Sequence, residues 1–272
     1  MRLAIILILI INSFIGRAQS IEATYELGNL LYSEGNFSAA EDVLRRVLYF
    51  DKNEEYGAKV NLIYANSLYH SGKFSEANYY YDLAYFSASD ASKVDILLQK
   101  TSCYLLLQNY SYARIELFNL PESLNEDQDK MKVFYTAMLE FAEGNFPESE
   151  DAFKQIASDT TRVDVLFDKN TKIDKLKPKT AKILSIIVPG LGQIYAGDWK
   201  AGINSLVLTG GLFYLGLNSG IKNSFLDAAI SVLPWFQRYY MGGFKKAELI
   251  AKAKILERRH EVFNELLEVV EK

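Results

Sequence analysis

Hydrophobic positions in residues 21–157 recur at the i, i+3, i+4 spacing of amphipathic helices, and a short turn signal interrupts them at nearly equal intervals. The turn signals begin at Gly35, Gly72, Gln108 and Gly144, which are 37, 36 and 36 residues apart. One turn per unit at such a period is typical of stacked helical hairpins. The pattern therefore predicts about four hairpins, each of which buries its apolar face against its neighbours.

Small residues, with larger residues beside them, recur at equivalent positions of the four repeats. The small ones are Gly28, Ala65 and Ala137 in the first helices and Ala40, Ala77, Ala113 and Ser149 in the second, with larger Leu44, Tyr81, Leu117 and Phe153 beside them. This pattern resembles the tetratricopeptide repeat (TPR) family over roughly residues 21–157. The resemblance implies an all-α, TPR-like α-solenoid. The third repeat departs most from this pattern, with Gln108 at the turn and Thr101 at the small-residue position.

In the TPR family the first helix of each unit lines a groove that binds protein. The resemblance therefore implies a binding groove made by Tyr25, Asn29, Tyr32, Leu62, Asn66 and Tyr69. Asn side chains can hydrogen-bond a peptide backbone, and aromatic rings supply apolar area. The alternative is that these rows pack against neighbouring helices.

Residues 1–18 have the three parts of a secretory signal peptide. Arg2 is a short positive region, residues 3–11 are apolar, and Gly16-Arg17-Ala18 places small residues before a cleavage point. The repeats, residues 19–157, are then expected outside the cytoplasm, and we predict a bacterial cell envelope protein with periplasmic repeats. A retained anchor remains an alternative.

The chain changes character after a polar, lysine-rich link at residues 158–180. Residues 181–243 are rich in apolar side chains, and residues 201–221 contain no charge. About 20 apolar residues match the hydrocarbon thickness of a bilayer. The pattern predicts a membrane-embedded helical hairpin or three-helix module, with a buried soluble hairpin as the alternative and the number of spans open. Residues 244–272 are predicted to form an amphipathic helix.

The apolar region contains the block PGLGQIYAGDWKAG, whose marked positions are Pro189, Gly190, Gly192, Gln193, Tyr195, Gly197 and Gly202. It resembles a motif of small bacterial membrane domains that also occur in TPR-containing envelope proteins of Bacteroidota-type bacteria. The resemblance implies an architecture and no activity. Small residues are what helix interfaces in membranes use.

Two charged residues, Asp227 and Arg238, lie in the third apolar segment. Charges at membrane depth usually face protein or water and mark function. The alternative is that this helix lies in the membrane interface, with the two charges at its ends.

Charge and composition narrow the classes of function. The net charge is −4, divided into −10 for residues 1–171 and +6 for residues 172–272. Acidic repeats argue against nucleic acid as a partner, because phosphate binding requires basic side chains. The lone Cys103 excludes an internal disulfide, and His70 and His260 form no metal-ligand motif. With no nucleophile elbow either, we predict no metal, no cofactor and no enzymatic activity.

These patterns together predict a membrane-anchored scaffold that binds another protein through its repeats and contacts membrane lipids. The alternative is a membrane module active in transport or lipid handling, which the repeats regulate. The sequence does not indicate an oligomeric state.

Overall fold

A computed structural model describes residues 20–52, 55–222 and 224–270. The predicted signal peptide lies outside these residues. Every regular element within the described ranges is a helix, which confirms the all-α prediction. The chain divides into two compact units, with the border between Ile156 and Ala157. They are called unit 1 and unit 2 below.

Unit 1 consists of four helical hairpins, stacked so that each contacts the next. Its helices are α1 (Ile21–Ser33), α2 (Phe37–Phe50), α3 (Gly57–His70), α4 (Phe74–Ser87), α5 (Asp90–Leu106), α6 (Tyr110–Phe118), α7 (Glu126–Glu143) and α8 (Phe146–Ile156). Consecutive odd and even helices pair as hairpins. This is the repeat-like packing that the periodicity predicts.

All four turns within the hairpins use the same backbone geometry. The residues with positive φ are Gly35 (76°), Gly72 (77°), Gln108 (56°) and Gly144 (86°). In each turn the N–H of this residue donates to the carbonyl three residues earlier, and the next N–H donates to a carbonyl five residues earlier. This Schellman motif satisfies carbonyls that the helix end leaves free. The repeat register thus places even a glutamine in the left-handed conformation.

Gln108, the turn residue that is not glycine, yields a matched pair of stability predictions. A Cβ at position 72 would meet nothing within 4 Å, so the turn conformation and not space decides the cost of a side chain there. We expect Gln108→Gly to stabilise the protein by about 1 kcal/mol and Gly72→Gln to destabilise it by about the same amount, because a left-handed residue with a Cβ costs roughly 1–2 kcal/mol. Urea unfolding followed by circular dichroism measures both. Equal stability of the two variants would contradict the left-handed conformation assigned to positions 72 and 108.

Small residues bring the two helices of each hairpin close together. The small residues Ala40, Ala77 and Ala113 are completely buried, as is Ser149, whose Oγ donates to the Ala137 carbonyl at 2.8 Å. A Cβ at Gly28 would lie 2.6 Å from the Leu44 side chain. The large residues beside them, such as Tyr81 and Phe153, fill the core.

Ion pairs connect successive hairpins of unit 1. Glu41 on α2 pairs with Lys73 at the start of α4. Lys100 on α5 lies 2.7 Å from both Asp82 on α4 and Glu116 on α6. Arg114 on α6 pairs with Glu140 and Glu143 on α7. The Arg114 guanidinium holds the pKa of Glu140 below its ordinary value. Each stacking interface therefore contains a charge pair that fixes its register.

Unit 2 is organised around one long helix, which the other helices of the unit contact. Its elements are α9 (Thr160–Ile173), α10 (Pro178–Ile187), α11 (Leu191–Tyr195), α12 (Trp199–Lys222), α13 (Phe225–Ser231) and α14 (Leu233–Val270), the long one. Much of the predicted link thus forms α9, which buries Val163, Leu166 and Phe167. The predicted C-terminal amphipathic helix is the second half of α14, since the helix continues through Gly242 and Gly243.

Within the ranges that the structure describes, no helix combines the length and the apolar character required to cross a bilayer. Membrane-spanning helices in residues 181–243 are therefore not supported. One physical reason is that Pro189, Gly190 and Gly197 divide the first apolar segment into the short helices α10 and α11. Another is that Pro234 cannot extend a preceding helix, and the third segment breaks at Val232.

Candidate interaction surfaces

The glycine-rich block of unit 2 lies where four helices meet. A Cβ at Gly192 would lie 1.8 Å from the Ala181 carbonyl oxygen on α10, and one at Gly190 would lie 2.1 Å from the Gly202 carbonyl oxygen on α12. Gly190 also has φ 94°, which favours glycine. The glycines are therefore required by close backbone approach of α10, α11 and α12.

Polar side chains of the same block satisfy buried backbone groups. Gln193 is completely buried; its Nε2 donates to the Gly243 carbonyl on α14 at 2.9 Å. Ser185 Oγ on α10 donates to Gln193 Oε1 at 2.7 Å and accepts from the Gly192 N–H at 3.0 Å. Because these bonds join α10, α11 and α14, we call Ser185, Gly192, Gln193 and Gly243 the glycine knot.

Two further positions of the block act at its edges. Tyr195 donates its hydroxyl to the Lys175 carbonyl at 3.1 Å and accepts from the Lys177 N–H at 3.2 Å. Gly197, with φ 91°, closes α11 in the same Schellman geometry as the repeat turns, and Asp198 then caps α12 by accepting from the Ala201 N–H. The described contacts assign the block a structural role.

The outer surface of α12, α13 and the start of α14 is apolar. Ile221 and Phe225 are 83% and 84% exposed. The other exposed apolar residues of this surface include Ile203, Leu206, Val207, Phe213, Leu215, Leu217, Leu226, Ile230 and Leu233. An exposed apolar surface of this kind is unusual on a free protein and is typical of sites that contact protein or lipid. We call it the apolar surface.

A cavity of about 290 Å³ opens within the apolar surface. It lies between α12, α13 and α14, and its lining includes Phe213, Gly216, Ala228, Val232 and Phe236. Small residues on α12 and α13 leave this space, since Gly216 and Ala228 present little or no side chain.

The structure places the candidate charges Asp227 and Arg238 on different helices. Asp227 lies exposed in the first turn of α13, and Arg238 lies exposed on α14. The Arg238 guanidinium lies over the Trp235 ring at 6.0 Å from its centroid. The break at Val232 separates the two residues, so they do not share the one continuous helix predicted for this segment.

Five of the six residues predicted to line a groove contact neighbouring helices or turns of unit 1. The Tyr25 ring lies 5.1 Å from that of Tyr56. The Tyr69 hydroxyl lies 2.7 Å from Ser102 Oγ on α5, and Asn66 accepts a hydrogen bond from the buried Tyr81. Tyr32 packs near His70, and Leu62 packs on the core. Asn29 is exposed. A groove along the first helices stays a prediction.

The exposed aromatic side chains in the described part of unit 1 lie on the second helices instead, although Leu30 on α1 and Leu106 on α5 are exposed as well. With the exposed Leu83 and Ile115 beside them, they are Tyr49 and Phe50 on α2, Tyr79 and Phe86 on α4, and Tyr112 and Phe118 on α6. We call these residues the aromatic face. Tyr49 and Phe86 are 37 residues apart and thus occupy equivalent positions of the repeat, which is the signal for this surface in the sequence.

The buried position of the single thiol, Cys103, disfavours nucleophilic chemistry there. Cys103 is buried, and burial raises its pKa to about 12. A thiol of this kind is a weak nucleophile at neutral pH. Within the described part of the chain, no group of His, Cys, Asp and Glu side chains is arranged to hold a metal ion.

Comparisons with family models, curated proteins and solved structures found no match to this chain.

Proposed function

We propose that the protein is a scaffold whose unit 1, a TPR-like solenoid, binds a partner protein while unit 2 holds the chain at a lipid membrane. The observation that carries the proposal is the apolar surface of α12 and α13. The location that we propose is the bacterial cell envelope, on the strength of the signal sequence expected in residues 1–18.

The membrane part of the proposal follows from the size and composition of the apolar surface. Burying one exposed Leu, Ile or Phe side chain contributes about 1.5–3 kcal/mol, and this surface contains many of them. Trp199 and Lys200 precede the uncharged stretch of α12, as is typical of residues at a membrane interface. Contact with acyl chains would remove this apolar area from water.

Vesicle flotation with charged substitutions tests membrane attachment. The variant replaces Ile221, Phe225 and Ile230, all highly exposed, with Asp. We expect its partition into vesicles of phosphatidylethanolamine and phosphatidylglycerol to fall roughly a thousandfold or more, because three buried side chains are lost. The matched control replaces Val165, Leu249 and Leu256 with Asp. These are exposed apolar residues elsewhere in unit 2, and this variant should float like the parent chain. Equal flotation of both variants would show that the apolar surface does not attach the chain to the membrane.

The protein-binding part rests on the aromatic face of unit 1. Tyr and other aromatic residues contribute much of the binding energy at protein interfaces. They lie exposed on three successive second helices, so one partner could contact several hairpins at once.

Site-specific photo-crosslinking in cells distinguishes the aromatic face from the groove predicted on the first helices. A photoreactive amino acid at position 79 or 86 should trap a protein partner, whereas the same group at position 29 should not. Trapping from positions 29 and 66 alone would assign binding to the first helices. Trapping from none of the four positions would contradict the scaffold function itself.

A further inference from the structure

A cleft of about 650 Å³ lies in unit 1 beside the aromatic face. It is bounded by the end of α2, by Asp51, Glu55 and Tyr56, by the start of α3 and by the outer side of α4. Its lining includes Tyr56, Asn61, Tyr79, Tyr80, Leu83 and Phe86. The volume is sufficient for one or two side chains of a bound segment.

Two aromatic rings form a corner at one wall of this cleft. The Tyr79 and Tyr80 rings have centroids 5.1 Å apart and stand at 88° to each other. The edge contact of Tyr80 with Tyr64, at 4.6 Å, fixes the Tyr80 ring against the core. Tyr79 is 60% exposed and Phe86 is 84% exposed, so both are open to a ligand. Faces of aromatic rings that meet at a corner attract cations.

Carboxylates lie near Tyr56, which also lines the cleft. Asp51 accepts from the backbone N–H groups of Glu55 and Tyr56, which leaves the exposed Glu55 as the carboxylate most open to a ligand. Burial, together with the negative field of Glu22, Glu55, Asp51 and Glu26, raises the pKa of Tyr56. Lys59 is the cation in the lining, and carboxylates outnumber it.

The charge of the whole unit has the same sign. Residues 20–156 contain 11 Lys and Arg against 22 Asp and Glu, a net charge of −11. A field of this sign attracts basic partners and repels acidic ones.

We propose that this cleft binds a basic segment of the partner protein, with an Arg or Lys side chain packed against Tyr79 and Tyr80. The cation faces the exposed Glu55. This inference rests on the proposed scaffold function and names the chemical class of the partner.

The binding test uses the purified full chain in a mild non-ionic detergent at 0.15 M salt. The probe is a fluorescein-labelled Gly-Arg-Gly-Arg-Gly peptide, and its matched control has citrulline, a neutral isostere, in place of both arginines. Fluorescence anisotropy should show the arginine peptide binding at least tenfold more tightly. Equal affinity of the two peptides, or no binding of either, would overturn the proposal.

Substitutions distinguish the cleft from a generally acidic surface. The variant Tyr79→Ala with Phe86→Ala should weaken binding of the arginine peptide at least tenfold, and Glu55→Gln about fivefold. These residues are exposed, so the core is unaffected. The control Tyr112→Ala with Phe118→Ala removes equivalent aromatic area from α6, outside the cleft, and should bind like the parent chain. If both double variants bind alike, the cleft is not the site.

Two other results would also overturn the inference while leaving the scaffold function intact. One is a partner, trapped from position 79, whose crosslinked segment contains no Arg or Lys. The other is self-association of the full chain that the Tyr79→Ala, Phe86→Ala variant abolishes, since the occupant would then be a second copy. Failure of the scaffold function differs from both, because none of positions 29, 66, 79 and 86 would then trap any protein.

Discussion

Replacing Gly192 with alanine should destabilise unit 2 by about 3 kcal/mol, at the upper end of the usual cost of overpacking. The new Cβ would lie 1.8 Å from the Ala181 carbonyl oxygen and 2.7 Å from its carbon, and neither atom belongs to a flexible side chain. The backbones of α10 and α11 must therefore separate. Separation also breaks the hydrogen bond from the Gly192 N–H to Ser185.

Tryptophan fluorescence during urea unfolding measures this effect, because both tryptophans, Trp199 and Trp235, lie in unit 2. The matched control is Gly242→Ala, in the interior of α14, where a Cβ would meet nothing within 4 Å. Alanine there should stabilise the helix slightly, since it is the better helix former. Similar midpoints for the two variants would show that the glycine knot is not closely packed.

Replacing Lys100 with methionine should destabilise unit 1 by about 3 kcal/mol, the lower end of the range for breaking a buried ion pair. The Lys100 ammonium lies between Asp82 and Glu116, and the Glu116 side chain is almost inaccessible to water. Burial alone would lower the pKa of Lys100, but hydrogen bonds to the two carboxylates raise it above its ordinary value. Methionine keeps the volume and leaves Glu116 buried without its cation.

Hydrogen exchange at the amides of α5 and α6 should report the loss, while tryptophan fluorescence of unit 2 should not change. Adding Glu116→Gln to Lys100→Met should restore part of the stability, because the orphaned charge is removed. The control Lys130→Met breaks an exposed pair with Glu126 and should have little effect. A destabilisation of similar size in the Lys130 variant would argue against a special role of the buried pair.

The repeat architecture of unit 1 follows from the sequence alone. Helical periodicity and turn geometry are local, so a period of 36–37 residues is sufficient to place the hairpins. The register even assigns Gln108 to a left-handed turn, which its residue type would not indicate. Small residues at equivalent positions likewise predict where the two helices of a hairpin approach each other, because larger side chains are excluded there in each repeat.

Tertiary packing decided which of these residues face each other and which face outward. Asn66 and Asn29 are equivalent in the repeat, yet Asn66 bonds Tyr81 while the equivalent of Tyr81 in the first hairpin is Leu44, which has no hydroxyl. Amphipathic spacing does not indicate that the outer side of a second helix is aromatic and exposed, because aromatic residues are typical of cores. The repeat register shows that Tyr49 and Phe86 are equivalent, but only the tertiary structure shows that they are exposed.

In unit 2, glycines have different structural effects. Gly190 precedes the first residue of α11 and Gly197 follows its end, whereas Gly242 and Gly243 lie inside α14, which runs unbroken from Leu233 to Val270. Gly190 and Gly197 adopt the left-handed conformation, whereas Gly243 lies where another helix approaches: a Cβ there would lie 2.8 Å from Ser205 Oγ on α12, and its carbonyl accepts from Gln193 on α11. Sequence spacing shows where glycine occurs, but the tertiary structure decides its backbone conformation and which element approaches it.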